Sequence, residues 1–138
     1  MEKKVYIASD HAGYEMKSKL CDYFETLIDL GTNSNESVDY PDFAYKLTTK
    51  VSQNNDSVGI LICGTGVGMS IAANREKGIR AGLVNSAEIA GLIRQHNNAN
   101  VLVLPGRFMQ DEEAKKCIKI FLETEFEAGR HQQRIDKL

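Results

Sequence analysis

The sequence of 138 residues has few cysteines, little net charge and no long apolar run. Cys21, Cys63 and Cys117 are odd in number and widely spaced, without a C-x-x-C pair, which argues against a disulfide framework and a zinc site. The formal net charge of -2 gives no general attraction to nucleic acid or to an acidic membrane surface. Asp10 and His11 interrupt the apolar residues near the N-terminus, so this stretch is neither a secretion signal nor a transmembrane span. We therefore expect a cytoplasmic protein with reduced thiols.

The glycine-rich segment ILICGTGVGMS lacks the spacing of two common nucleotide-binding loops. Gly64, Gly66 and Gly68 form the pattern G-x-G-x-G, whereas the dinucleotide fingerprint is G-x-G-x-x-G. Met69 and Ser70 stand where a triphosphate-binding loop has lysine followed by serine or threonine. We therefore expect no nucleotide hydrolysis.

Apolar strand-like runs alternate with amphipathic helical segments along a chain whose length fits a single domain, residues 1–138. The predicted strands are 5–9, 26–31, 57–63, 79–84 and 100–105. A helix is predicted after each strand. The first carries Met16, Leu20, Tyr23, Phe24 and Leu27, and the second follows the polar loop 33–42 and carries Phe43, Leu47 and Val51. The third and fourth cover about 69–77 and 86–95, and the last places Ala114, Cys117, Ile118, Phe121 and Leu122 on one face.

This alternation predicts an α/β fold, a doubly wound parallel five-stranded sheet with helices on both faces. Ligands of such sheets bind at the carboxyl ends of the strands. Asp10 and His11 follow the first strand, and residues 63–68 follow the third, so both groups fall on this edge. His96 and Asn97 precede the last strand and lie nearer the opposite edge. A second subunit could bring them to the site.

Cys63 ends the strongest predicted strand and stands directly before the glycine loop. A buried apolar thiol is the common fate of such a cysteine. A thiol among the unpaired N–H groups of a helix start can instead have its thiolate stabilised, and this interpretation favours Cys63 over Cys21 and Cys117. The same N–H groups could hold a phosphate or an oxyanion that develops during a reaction.

Three arginines are candidates for binding an anion. Arg107 follows a strand and a glycine, while Arg130 and Arg134 stand four residues apart and share one face if the tail is helical. The ordinary interpretation of Arg130 and Arg134 is that they lie on a helix face exposed to solvent. With His11, the three arginines would suffice to bind a phosphate monoester. Tyr40 could equally be a packing residue.

Five segments, SDHAG, DYPD, ILICGTGVGMSIAANR, RQHNNANVLVLPGR and GRHQQR, occur in one order at one spacing. Together they resemble the ribose-5-phosphate isomerase type B family, which also contains the galactose-6-phosphate isomerase subunits. The similarity extends along nearly the whole chain. It implies a Rossmann-like fold, a homodimer or dimer of dimers with sites between subunits, and an activity without metal or other cofactor. The implied reaction interconverts ribose 5-phosphate and ribulose 5-phosphate through a cis-enediolate.

The resemblance also implies a role for each matching residue. It makes Cys63 the base that moves a proton between C1 and C2, assisted by Thr65, and it makes His96 the acid–base group that opens the furanose ring. Loop N–H groups would stabilise the enediolate. Contacts with the sugar hydroxyls, the enediolate oxygens and the phosphate are implied for Asp10, His11, Tyr40, Gly64, Gly66, Val67, Gly68, Asn97, Arg107, Arg130 and Arg134.

Two alternatives remain at this point. The same chemistry could act on a six-carbon sugar phosphate, such as allose 6-phosphate or galactose 6-phosphate. The galactose enzymes of the family divide their catalytic residues between two different subunits, whereas this chain carries Cys63, His96 and the three arginines. The other alternative is a binding module without activity, which would need neither the thiol nor the ring-opening histidine.

Overall fold

The computed structural model describes residues 3–138 and contains a five-stranded parallel sheet in the order β2-β1-β3-β5-β4. The strands are β1 (Lys4–Ser9), β2 (Leu27–Asp29), β3 (Ser57–Cys63), β4 (Ala81–Leu83) and β5 (Val101–Pro105). The helices are α1 (Tyr14–Tyr23), α2 (Tyr40–Ser52), α3 (Val67–Ala73), α4 (Ala87–Gln95), α5 (Asp111–Glu123) and α6 (Arg130–Ile135). The predicted Rossmann-like α/β fold is confirmed.

Alternate residues of the central strand β3 enter two different cores. Ile60 and Ile62 belong to a core that also contains buried residues of α1, α4 and α5. Leu61 and Cys63 belong to a second core that contains buried residues of α2 and α3. Since successive side chains of a strand point to opposite faces, a strand that is apolar throughout requires helices on both sides.

Several apolar residues depart from the helical pattern that the sequence suggests: Phe24 follows the end of α1, and Tyr23 is 48% exposed. Leu27 lies in β2, because α1 ends at Tyr23 and the chain enters the sheet within a few residues. Leu122 is 39% exposed, whereas Cys117, Ile118 and Phe121 of the same helix are buried. The apolar stripe of α5 is therefore one residue narrower than predicted.

Lys17 is a buried cation whose ammonium group binds Asp29. Its side chain is 1% exposed, and Nζ lies 2.8 Å from each carboxylate oxygen. Oδ1 of Asp29 also accepts a hydrogen bond from the backbone N–H of Gly31, and the carbonyl of Gly31 accepts one from Ser9. The ion pair thus connects α1 and β2 to the end of β1, directly before Asp10.

No helix within residues 3–138 is both long and apolar enough to cross a membrane.

Candidate active site

The strand order reverses between β1 and β3, and the loops that follow these strands form the first half of the site. The backbone N–H of Asp10 donates to the carbonyl of Ile62, which places Asp10 beside Cys63. The carboxylate of Asp10 accepts from the N–H of Gly13 at 3.1 Å and is largely buried. Such a reversal opens a crevice at the carboxyl ends of the strands, as the sequence predicted for these residues.

The loop between β3 and α3 turns sharply at Gly66. Its φ of 81° is favourable for glycine, and a Cβ atom there would collide with the side chain of Leu83. The hydroxyl of Thr65 accepts a hydrogen bond from the N–H of Val67 at 3.1 Å. The first N–H groups of α3 have no partner within the helix, as at any helix start. The loop therefore places free backbone N–H groups at the start of α3, close to Cys63 at the end of β3.

Arg107 lies across this loop. Its backbone N–H donates to the carbonyl of Gly64 at 3.0 Å, and its Cδ and Nη1 atoms lie 3.4 Å from the position that a Cβ atom of Gly64 would occupy. The absence of a side chain at Gly64 therefore allows the guanidinium to approach the loop. Arg107 and His11 also line one cavity of about 390 Å³. Nδ1 of His11 accepts a hydrogen bond from the N–H of Val38 at 3.2 Å.

Tyr40 packs over Gly68, the last glycine of the loop. A Cβ atom at Gly68 would lie 2.7 Å from two ring carbons of Tyr40, so glycine is required for this contact. Tyr40 is nevertheless 38% exposed. The structure thus brings Asp10, His11, Tyr40, Arg107 and the loop 63–68 to one sheet edge.

The three cysteines occupy different environments. Burial raises the pKa of Cys117 to about 11, and burial also raises the pKa of Cys21, with a smaller contribution from the charge of Asp29. Both thiols therefore stay protonated near neutral pH. Cys63 is buried too, with 5% exposure, but it ends β3 at the crevice. All three are free thiols.

The remaining predicted residues form a second cluster at the opposite edge of the sheet. His96 caps the C-terminal end of α4, and it lines one cavity of about 330 Å³ with Asn97, His131 and Arg134. Arg130 begins α6 on the same side. Within one chain, β5 separates the two clusters, and its five residues span roughly 15 Å. The structure does not bring Cys63 and His96 together in one subunit.

His131 is a site residue that the sequence analysis did not identify. It is buried, and its ring stacks on that of His96 with 4.5 Å between the centroids. Burial lowers its pKa, as do the nearby charges of His96, Arg130 and Arg134, while Glu127 has the opposite effect. The segment GRHQQR contained the signal, since His131 stands between the two arginines that the analysis selected.

His96, Glu127 and His131 could also hold a metal ion, because donor atoms of the three lie within 4.8 Å of one another. The sequence does not predict this group, because His96 is remote in the sequence from Glu127 and His131. The two imidazole planes differ by only 18° and their centroids are 4.5 Å apart, so no nearby point lies in both ring planes, as nitrogen ligands of one metal ion would require. The neighbouring arginines further oppose a cation. This arrangement favours proton transfer over metal binding.

The chain is similar to known sugar isomerases over nearly its whole length. The family model described as Ribose/Galactose Isomerase matches residues 5–138. The chain is 41% identical to ribose-5-phosphate isomerase B of Escherichia coli, over 99% of this chain and 94% of that protein.

Two solved structures are similar over almost their full length. Ribose 5-phosphate isomerase of Thermotoga maritima has a TM-score of 0.96 at 50% identity, covering 99% of this chain and 97% of that chain. Ribose-5-phosphate isomerase B of Mycoplasma genitalium, solved with bound ribulose-5-phosphate, has a TM-score of 0.95 at 49% identity, covering 99% and 94%. This chain belongs to the ribose/galactose isomerase family.

Proposed function

We propose that this protein is an isomerase that interconverts ribose 5-phosphate and ribulose 5-phosphate. The observation that carries the proposal is the placement of Cys63 at the glycine loop, with Asp10 and Arg107 on the same sheet edge. A neighbour of 49% identity that holds ribulose-5-phosphate supports this substrate.

The chemistry requires a base and an electrostatic partner for a developing charge. The Cys63 thiolate removes the proton from C2 of the open-chain aldose, and the electron pair forms the C1–C2 double bond while negative charge moves to O1. N–H groups of the loop 64–68 stabilise this cis-enediolate. The proton then returns to C1 and the hydroxyl proton moves from O2 to O1, which gives the ketose. Thr65 assists the sulfur, and Asn97 contacts the enediolate oxygens. No metal or other cofactor takes part.

Asp10 and Tyr40 contact the sugar hydroxyls, and the phosphate binds to basic residues. His11 and Arg107 line one cavity on the Cys63 side. Arg130 and Arg134 are exposed on α6 at the opposite edge and reach the phosphate from a second subunit. Guanidinium groups suit this task, since they donate in pairs to phosphate oxygens.

The active site is shared between the subunits of a homodimer, or of a dimer of dimers. His96 must open the furanose ring of the substrate that Cys63 then deprotonates, yet β5 separates the two residues within one chain. Val67 is 49% exposed and Ile71 is 54% exposed, on the outer side of α3 beside the loop. Such an apolar surface next to an incomplete site suits an interface between copies of the chain. We expect the enzyme to act in the cytoplasm, where its thiols stay reduced.

Proton exchange with solvent distinguishes an isomerase from a binding module. Ribose 5-phosphate incubated with the enzyme in deuterated water should gain deuterium at C1 of the ketose, because the proton on Cys63 exchanges before it returns. A module that binds without reaction gives no label and no ketose.

Specificity constants for four substrates distinguish five-carbon from six-carbon sugars. We expect ribose 5-phosphate and ribulose 5-phosphate to give the highest values, allose 6-phosphate a lower value and galactose 6-phosphate negligible turnover. An extra hydroxymethylene group must find room and hydrogen bonds, and a buried polar group without a partner costs about 1–3 kcal/mol, or roughly one to two decades in rate. Faster turnover of a six-carbon sugar phosphate would contradict the proposed substrate, and the proposed mechanism would still stand.

A further inference from the structure

A basic pocket lies at the edge of the sheet opposite to Cys63, beside the starts of β3, β4 and β5. It is a cavity of about 310 Å³ whose lining includes Lys3, Lys77, Arg80 and Arg94. The remaining polar lining residues are asparagines and serines, and no carboxylate of residues 3–138 lines the cavity. Four cations around one small polar space produce a positive potential that draws anions.

The two arginines of the basic pocket are bound by neutral acceptors. Arg94 is 8% exposed, and its guanidinium donates to the carbonyls of Thr124 and Ala99 and to the side chain of Asn98. Arg80 donates through Nε to the carbonyl of Asn98 at 2.9 Å. In the described part of the chain, neither arginine has a carboxylate oxygen within 4.0 Å. A charge at this depth normally has a counter-ion, because removal from water destabilises it.

The charges around Arg94 favour an anion beside its guanidinium. Burial lowers its pKa, and the charge of Arg80 lowers it further, while Glu125 raises it without forming an ion pair. Burial lowers the pKa of Arg80 as well. Glu76 is directed elsewhere, since its carboxylate accepts from Thr48 and Ser52. Two guanidinium groups that repel each other would both be stabilised by one oxyanion between them and the lysines.

We propose that the basic pocket binds a phosphate-type oxyanion, either free phosphate or the phosphate group of a small phosphorylated metabolite. The site is separate from the Cys63 crevice and does not depend on the proposed isomerase activity. Both arginines hold Asn98, which follows His96 and Asn97 in the chain. An occupied pocket would therefore also stabilise the turn that carries the ring-opening histidine.

The test is a calorimetric titration of inorganic phosphate into the variant Arg107→Gln, Arg134→Gln, which removes two of the proposed phosphate contacts of the active site and leaves the lining of the basic pocket unchanged. This parent variant should bind one phosphate per chain, and the lysine substitutions that follow are made in the same background. The double variant Lys3→Gln, Lys77→Gln should bind phosphate about tenfold more weakly, since two exposed charges are lost. Both lysines are exposed, and within residues 3–138 their side chains make no hydrogen bond, so folding should be preserved.

Lys116→Gln with Lys119→Gln is the matched control, since it changes the net charge equally on the exposed face of α5. Adenosine monophosphate titrated in the same way separates the two ligand sources: tighter binding than phosphate indicates a phosphorylated metabolite, and weaker binding indicates the free ion. Absence of binding by both ligands to the parent variant, or an equal loss from the two pairs of lysine substitutions, would overturn the proposal.

Discussion

The imidazole rings of His96 and His131 stack at 4.5 Å, with 18° between their planes, although one residue ends α4 and the other lies in α6. His96 has a proposed catalytic role, and His131, which stacks on it, is buried. Because the pKa of His131 is lowered, His131 remains neutral near pH 7 and adds no charge beside His96. His131 thus packs against His96 without placing a second charge beside it.

The lowered pKa of His131 predicts that acid weakens the fold. As pH falls, the unfolded chain takes up this proton near 6.5, the ordinary value for histidine, before the folded chain does. The contribution of neutral His131 to the free energy of unfolding is therefore complete above about pH 6.5, and it is lost as pH falls from there towards the pKa of His131 in the folded chain. Urea unfolding between pH 8 and pH 5 should show a smaller acid-induced loss for His131→Gln than for the wild type. Equal losses would show that His131 is not responsible.

Ring opening by His96 predicts different losses on cyclic and open-chain substrates. His96→Asn should reduce kcat on ribose 5-phosphate by about 100-fold, within the usual range for a lost acid–base group. Erythrose 4-phosphate cannot close a five-membered ring, because its O4 carries the phosphate, so its turnover should fall much less. Steady-state kinetics on both sugars provide the measurement, and similar losses on both would mean that His96 acts at another step.

Proton transfer by Cys63 predicts that the three cysteines respond differently to substitution. Cys63→Ala should lower kcat by about 1,000-fold or more while ribose 5-phosphate still binds, because the base is needed mainly in the transition state. Cys21→Ala and Cys117→Ala should keep most of the activity, since their raised pKa values indicate inert thiols. Turnover and calorimetric binding measured on the three variants test this assignment. Comparable damage from all three would contradict it.

The fold and the residues of the Cys63 half-site could be predicted from the sequence, because strand-to-helix loops of a parallel sheet converge on one edge. The contacts of His131 and Glu127 with His96 could not, because they depend on how α6 packs against the end of α4. The sequence also does not predict the burial of Lys17, since a lysine in an amphipathic helix normally faces water. Leu27 belongs to the predicted strand 26–31 and also continues the helical spacing of α1, and the structure confirms the strand.

The buried pair Lys17–Asp29 predicts an asymmetric effect on stability. Asp29→Ala leaves the ammonium of Lys17 buried without a partner and should cost about 3 kcal/mol of unfolding free energy. Lys17→Met fills the same space with apolar atoms, and Asp29, whose side chain is 39% exposed, keeps access to water. This change should cost about 1 kcal/mol or less. Chemical unfolding of both variants gives the comparison, and a greater cost for Lys17→Met would refute the interpretation.

The shared active site predicts that two inactive variants restore activity when mixed. Cys63→Ala removes the base from one half of every site, and His96→Asn removes the ring-opening group from the other half. In a dimer exchanged between the two variants, one site carries both substitutions and the other carries intact Cys63 with intact His96. Equal amounts of the two proteins should therefore regain about a quarter of the wild-type activity, since half of the dimers are mixed and half of their sites are intact.

Subunit exchange in this mixture is measured independently, with a different affinity tag on each variant and recovery of doubly tagged dimers. The matched control is each variant exchanged with itself under the same conditions, which should stay inactive. Cys21→Ala mixed with His96→Asn provides a second control, because it should show no gain beyond the activity of its own intact sites. Recovery of doubly tagged dimers without activity would mean that no site combines Cys63 of one subunit with His96 of the other. Because roughly 15 Å of β5 separates the two residues within one chain, another group would then have to open the ring.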